Sequence, residues 1–107
     1  MSNESLQKFL NIDPSTNPDY LSDVSSIPVE NSYFNLAIMI EVLQYISDPI
    51  ISMKEVHRVL KNDSKLIISV PLIHPIHGDH EIDHYRFTKT ALCNLAKNSG
   101  FERIWNC

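Results

Sequence analysis

The pattern of hydrophobic and polar positions predicts two buried strands with a helix between them. Residues 36–40 are five apolar residues in a row, as expected of a strand that is covered on both faces. A second apolar run, over residues 66–70, ends at Pro71. Between the two runs an amphipathic stretch reaches Leu60, and residues 62–64 have the composition of a turn. We therefore predict a strand–helix–strand unit in the middle of the chain.

The helix of this unit has a clear start in the sequence. Ser47 and Asp48 are both suitable N-cap residues, and Pro49 would then occupy the first helical position. Apolar residues recur at helical spacing along the same face, namely Ile50, Met53, Val56 and Leu60.

Weaker patterns flank the central unit. Residues 9–12 and 20–22 are predicted to form short strands. Thr88 can cap a second helix, and Gly100 lies where helices commonly end in a left-handed conformation. Residues 101–105 are predicted to form a final strand. Because strands alternate with helices, the pattern predicts an α/β fold with a mostly parallel sheet.

Composition narrows the class of protein. The 107 residues are enough for one domain, and 43% hydrophobic with 21% charged residues is typical of a folded globular chain. A net charge of -4 and the lack of a Lys/Arg-rich run argue against a nucleic-acid surface. The longest apolar run, residues 36–46, is shorter than the ~20 residues of a membrane helix. The N-terminus has no secretory pattern, so we expect a cytoplasmic protein without a membrane partner.

Cysteine and glycine are both scarce. Cys93 falls on the predicted second helix and Cys107 is the last residue, so we expect one buried thiol and one terminal thiol. The glycines, Gly78 and Gly100, are the only two, and neither lies in a strand–loop–helix cradle for a phosphate or cofactor.

The central unit resembles a known family. Residues 41–46 read Glu-Val-Leu-Gln-Tyr-Ile, residues 48–49 are Asp-Pro, and residues 55–61 read Glu-Val-His-Arg-Val-Leu-Lys. In this order and spacing they resemble class I S-adenosylmethionine (SAM) dependent methyltransferases of the type 11-like group. The likeness covers roughly residues 9–104. It implies a partial Rossmann-like, three-layer fold for a single methyltransferase-like domain over residues 1–107.

The resemblance assigns roles to three carboxylates at predicted strand ends. It implies that Asp13 accepts hydrogen bonds from the cofactor ribose and Asp23 from the adenine amino group. It places Glu41 towards the methionine part or the acceptor. The residues themselves show only acids after strands, where ligands of doubly wound sheets bind. An ordinary turn role for Asp13 and Asp23 remains the alternative, because Asp favours turns.

The chain also departs from the family pattern. Only twelve residues precede Asp13, and none is glycine, so the family's first strand and its glycine-rich loop are expected to be missing. Two functional hypotheses follow. The first is a SAM-dependent enzyme that methylates a small-molecule acceptor. The second is a truncated, non-catalytic relative that acts as an interaction or oligomerisation module.

A histidine-rich segment follows the second central strand. It contains His74, His77, His80 and His84 with acidic residues between them, so a metal site is one interpretation. Pro75 and Gly78 indicate a loop, and the family resemblance implies that this loop lies near the acceptor. A solvated loop or a substrate-side lid is therefore the favoured interpretation, and we predict no bound metal. His77 and Tyr85 are the candidate acceptor-side catalytic residues.

The missing strand has a consequence for assembly. Without it, one edge of the strand over residues 36–40 presents unpaired backbone groups, which recruit other strands. Either residues 9–12 fill the gap or a second copy or another chain pairs there. We expect a dimer or a higher association slightly more than local refolding.

Overall fold

The computed structural model describes residues 10–11, 20–21, 24–40, 42–70 and 85–104. Strands alternate with helices along the described chain. The elements are β1 (Leu10–Asn11), β2 (Tyr20–Leu21), β3 (Phe34–Ile40), a 3-10 helix (Leu43–Tyr45), α1 (Pro49–Val59), β4 (Leu60–Ser69) and α2 (Lys89–Asn98).

The strands pair in two separate parallel pairs. β1 pairs with β2, and β3 pairs with β4. Since α1 connects β3 to β4, the centre of the chain is a β–α–β unit, as the pattern predicted. The predicted α/β class is confirmed, and the parallel sheet with its helices fits a partial Rossmann-like fold. Because Leu10 and Asn11 pair with β2, the structure does not place this strand beside β3.

The two faces of the β3–β4 pair differ in burial. Ala37 pairs with Leu66 and Met39 with Ile68, and these side chains lie on the inner face, towards the hydrophobic core. The outer face has exposed aliphatic residues, including Ile38, which is 53% exposed. The prediction that both faces are covered is therefore wrong for the described residues.

The core lies between the inner face of the sheet and the two helices. Met53 of α1 and Leu43 of the 3-10 helix are fully buried. The core cluster consists of Met39, Leu43, Met53, Val56, Leu60 and Leu95, with further apolar residues packed around it. The helical spacing of the apolar residues on α1 therefore correctly indicated its buried face.

The structure shows which of the two predicted residues, Ser47 or Asp48, caps α1. Asp48 is the N-cap, and its carboxylate accepts a hydrogen bond from the Ile51 amide at 3.3 Å. Pro49 takes the first helical position, where its missing N–H costs nothing. The helix ends at Val59, so Leu60, predicted to be helical, instead begins β4.

The predicted turn at residues 62–64 lies within β4 and not before it. Asp63 keeps a turn-like backbone, with a φ of +61°. The pairing register shifts at the same place, because Phe34 pairs with Leu60 while Leu36 pairs with Lys65. The strand accommodates the turn residues as an irregularity, and the prediction was wrong about where the strand begins.

The second helix is capped as predicted. The Thr88 hydroxyl accepts a hydrogen bond from the Ala91 amide at 3.1 Å, and Gly100 follows the helix with a φ of +108°. Residues 101–104 form no strand, which corrects the prediction of a final strand. Within the described chain they have no strand partner, and Phe101 packs on the core instead.

Cys93 lies on the inner side of α2. It is buried as predicted, but it is disulfide-bonded and not a free thiol. The second cysteine of the chain, Cys107, lies outside the described residues.

A polar clamp joins α1 to the loop before β3. The Arg58 guanidinium donates to both carboxylate oxygens of Glu55, at 2.7 and 2.8 Å, and to the carbonyls of Ile27 and Val29, each at 2.9 Å. It also donates to the Asn31 side-chain oxygen at 2.8 Å. The Glu55 carboxylate in turn accepts from the Ile27 amide at 2.7 Å. This clamp fixes residues 27–31 against the helix.

The end of α1 also supports the start of β3. The Ser32 amide donates to the Arg58 carbonyl at 2.9 Å, and the Tyr33 amide donates to the Val59 carbonyl at 2.8 Å. These bonds satisfy carbonyls that the helix itself leaves unpaired. Thus the amino end of the sheet is tied firmly to the helix. Of the helices that the structure describes, none is long and apolar enough to cross a membrane.

Candidate functional site

The carboxyl ends of the strands define the candidate site. In a parallel α/β sheet, ligands bind beyond these ends, where side chains from several strands converge. In this chain Asp13 follows β1 by two residues, Asp23 follows β2 by two residues, and Glu41 directly follows β3. The predicted strand ends are therefore found next to all three acids. The acids themselves lie outside the described residues, so their cofactor-binding roles stay predictions.

The segment after β3 folds back into the core at once. Val42 is followed by the 3-10 helix, in which Leu43 is fully buried and Gln44 is 3% exposed. The Tyr45 and Ile46 amides donate to the carbonyls of Val42 and Leu43, at 3.0 and 3.1 Å. Because Leu43 anchors this turn, the backbone beyond Glu41 has a fixed course at the carboxyl end of the sheet.

Tyr85 docks on this turn from a distant part of the sequence. Its amide donates to the Gln44 carbonyl at 3.1 Å, and its hydroxyl donates to the Ser47 carbonyl at 3.2 Å. Its ring lies 5.6 Å from that of Phe87, which packs on the hydrophobic core. The structure thus brings one candidate acceptor-side residue to the carboxyl end of β3.

The contacts of Tyr85 position the returning chain. Its side chain is 39% exposed, and its hydroxyl donates to the Ser47 carbonyl. Tyr85 therefore holds the returning chain beside the 3-10 helix, and its role as an acceptor-side catalytic residue stays a prediction. The other candidate, His77, lies outside the described residues.

The described part of the chain contains no cluster of three or more metal-ligating side chains. The histidine-rich segment, residues 74–84, lies outside it, so the expectation that it binds no metal stays a prediction.

The described residues whose pKa values are shifted, Glu55 and Arg58, lie at the amino end of β3 and not at its carboxyl end. The hydrogen bond from the Arg58 guanidinium holds the pKa of the Glu55 carboxyl below its usual value, against the opposing effect of burial. The same hydrogen bond raises the pKa of Arg58. Both residues belong to the clamp at the amino end of β3, so this pair is structural and is not part of the candidate site.

Sequence reasoning missed two contributors to the site. The first is Gln44, which was grouped with an apolar run although its backbone carbonyl receives the Tyr85 amide. The second is the Ser47 carbonyl, which accepts the Tyr85 hydroxyl. Both contribute a backbone carbonyl, and nothing in the sequence distinguishes one backbone carbonyl from another.

Comparison with known proteins gives consistent matches. A family model described as a methyltransferase domain matches residues 3–105, nearly the whole chain. A demethylmenaquinone methyltransferase from Chlamydia muridarum is 29% identical in an alignment that covers 80% of this chain and 47% of the relative.

A solved structure also matches. It is a SAM-dependent methyltransferase from Thermotoga maritima, described as a possible histamine N-methyltransferase. The TM-score is 0.63 at 21% identity, over 77% of this chain and 44% of the other, and this likeness shows the fold alone. The chain therefore spans less than half the length of either matched protein.

Proposed function

Because the chain belongs to the family of class I SAM-dependent methyltransferase domains, we propose that its strand ends contribute to a site for methyl transfer from SAM. The observation that carries the proposal is the position of three acids. Asp13, Asp23 and Glu41 each follow the carboxyl end of a parallel strand within two residues. Ligands of this class of sheet bind at these ends.

Each acid has a proposed partner on the cofactor. Asp13 accepts hydrogen bonds from the ribose hydroxyls, because a carboxylate can accept two donors side by side. Asp23 accepts from the adenine amino group. Glu41 faces the methionine part or the acceptor. Hydrogen bonds to ionised carboxylates are about twice as strong as those between neutral groups, so these acids would dominate recognition of the adenosine part.

The side chains of this chain fit the adenosine part of the cofactor better than the methionine part. The acids suit the hydroxyl and amino groups of adenosine. The methionine part needs close backbone approach, which glycine allows. Neither Gly78 nor Gly100 directly follows a described strand. The chain's own residues therefore favour binding of the adenosine part.

The reaction depends mainly on how the methyl donor and the acceptor are positioned relative to each other. SAM supplies an electrophilic methyl group on a sulfonium, which a nucleophile attacks in line with the leaving sulfur. Fixing two reactants in this geometry is a large part of such catalysis. In this chain the buried Leu43 and the two hydrogen bonds of Tyr85 hold the backbone beyond Glu41 in place. We assign this region to orientation of the acceptor.

A small organic molecule is the proposed acceptor. The names of the two matched proteins indicate a demethylmenaquinone and, provisionally, histamine, both of which are small molecules. The chain has a net charge of -4 and no basic run that would hold a nucleic acid.

An NMR titration of the 107-residue chain with S-adenosylhomocysteine tests the proposal. Amide shifts are expected near residues 10–11, 20–21 and 40–45, with Kd in the range of about 0.1–10 mM. Asp13→Asn and Asp23→Asn should each weaken binding by at least about tenfold, since one charge-assisted hydrogen bond contributes about 1.5–3 kcal/mol and about 1.4 kcal/mol corresponds to a factor of ten.

Asp63→Asn is the matched control. Asp63 is exposed, near the start of β4, and its left-handed φ of +61° is one that Asn also adopts. It should leave Kd unchanged. Shifts confined to α2, or none at about 10 mM ligand, would contradict the proposal. A micromolar Kd would show that the chain also holds the methionine part.

A further inference from the structure

Cys93 of α2 combines a disulfide bond with a position on a cavity. It is 8% exposed and disulfide-bonded, and the sequence offers one other cysteine, Cys107, as its partner within the chain. A disulfide that is shielded from solvent is inert, whereas one that reagents can reach exchanges with free thiols. The surroundings of Cys93 therefore show which of the two kinds this disulfide is.

A cavity runs along α2 beside Cys93. Its volume is about 360 Å³, and its described lining residues all belong to the helix: Lys89, Thr90, Cys93, Asn94 and Lys97. The four polar residues of this set are exposed, so a dissolved molecule can reach the cavity from solvent. Pockets of about 300–1,000 Å³ hold small organic molecules. We call this feature the α2 cavity.

The α2 cavity is positively charged although the chain is acidic. Lys89 and Lys97 lie four residues before and four residues after Cys93, which places all three on one side of the helix. No acidic residue is among the described lining residues, and the sequence has none over residues 85–101. The whole chain carries a net charge of -4. The α2 cavity therefore attracts small anions that most of the chain repels.

We propose that the α2 cavity admits a small anionic thiol, with glutathione as the probe, and that this thiol exchanges with the Cys93 disulfide. The glutathione thiolate attacks Cys93 Sγ and forms a new S–S bond with it. The bond to Cys107 breaks, and Cys107 leaves as a thiolate that takes a proton from water. A second glutathione thiolate then attacks the glutathione sulfur of the mixed disulfide and releases Cys93 as a thiolate. Two glutathione molecules are thereby oxidised to their disulfide, and the protein disulfide is reduced.

The polar residues of the α2 cavity suit this class of ligand. Glutathione carries two carboxylates, which Lys89 and Lys97 attract, and the same ammonium groups stabilise the negative charge on the attacking sulfur. Thr90 and Asn94 each provide a hydrogen-bond donor and an acceptor for its peptide groups. Cys93 is thus a site of reversible modification, and its exchange breaks the covalent link between α2 and residue 107.

Exchange kinetics on the oxidised 107-residue chain test the inference. The chain is mixed at low ionic strength with glutathione or with cysteamine, a small thiol with a positively charged amine, and the products are quenched with acid and analysed by mass spectrometry. Glutathione should be found on Cys93. Lys89→Gln and Lys97→Gln should each lower the ratio of the glutathione rate constant to the cysteamine rate constant by about three- to tenfold. Lys54→Gln is the matched control, since Lys54 is an exposed lysine of α1 that does not line the cavity, and it should leave this ratio unchanged.

Three results would overturn the inference: no exchange with millimolar glutathione, glutathione attached to Cys107 alone, or a rate ratio that neither cavity variant changes. An equal fall of the ratio in Lys54→Gln overturns it too, because net charge and not the cavity would then set the rate. Cys107→Ser leaves Cys93 as a thiol, on which oxidised glutathione should form the same mixed disulfide. A Cys93 that stays unmodified in this variant contradicts access through the cavity. Circular dichroism of every variant checks folding.

Discussion

Replacing Gly100 by alanine tests how the chain leaves α2. Gly100 has a φ of +108°, which residues with a side chain rarely adopt. Holding alanine there strains the backbone by about 1–3 kcal/mol. Alanine also restricts the unfolded chain, which offsets about 0.4–1 kcal/mol of this. The backbone effect alone should therefore lower the free energy of unfolding by about 1–2 kcal/mol.

His57 adds a second cost. A Cβ atom at position 100 would lie 3.2 Å from Cε1 and Nε2 of His57 and 3.3 Å from Nδ1. Ordinary contacts between such atoms are about 3.5–4.0 Å. The ring must move by a few tenths of an ångström to make room, and this movement alters its edge-on contact with Phe101, whose ring centroid lies 5.0 Å away. Such a contact contributes about 0.5–1.5 kcal/mol, so the total destabilisation should be about 2–3 kcal/mol.

Urea unfolding followed by circular dichroism separates the backbone cost from the cost of the His57 contact in a double-mutant cycle. In a His57→Ala background, Gly100→Ala should cost about 1 kcal/mol less than in wild type. An equal loss in the two backgrounds would refute the contact argument. A loss below about 0.5 kcal/mol in wild type would refute the backbone argument as well.

Two further predictions concern α1. The Ser52 hydroxyl is fully buried and makes no hydrogen bond, so Ser52→Ala should raise the free energy of unfolding by about 1 kcal/mol. Thr90→Ala, at an exposed position of α2, is the control, and it measures how much of the gain in stability comes from helix propensity alone, about 0.5 kcal/mol. An equal gain in stability at both positions would refute the burial argument. Because the clamp lowers the pKa of Glu55, its stabilising effect is present above the usual value of 4.5 and is lost as the pH falls through the lowered pKa. When the free energy of unfolding is measured from pH 6 downwards, Glu55→Gln should lose less of it on acidification than wild type does. Identical pH profiles would contradict the conclusion that the ionised Glu55 carboxylate stabilises the fold.

The central elements were predictable because their signals are local. Asp48, Pro49 and the apolar spacing of α1 specify a helix within a dozen residues. The runs that became β3 and β4 are likewise visible in a short window. The exposure of Ile38 was not predictable, because an apolar run indicates that a strand prefers cover without showing whether the cover is present.

The errors arose where structure depends on distant partners. Residues 101–104 have a strand-like composition, but a strand needs a neighbour to pair with, and none is found in the described chain. The contact between Tyr85 and Ser47 joins residues 38 apart in sequence, which no local pattern encodes. The positions of Asp13, Asp23 and Glu41 after strands were predictable, since turn residues mark strand ends.

The clamp makes local unfolding at the amino end of the sheet costly. There, the Arg58 guanidinium and the carbonyls of Arg58 and Val59 tie residues 27–33 to α1 through many hydrogen bonds. Segments held by many such bonds open only at a higher free energy. Residues 27–33 should therefore unfold together with α1 and not before it, which amide exchange would register as equally slow exchange of the Ser32 and Tyr33 amides and of the amides within the helix.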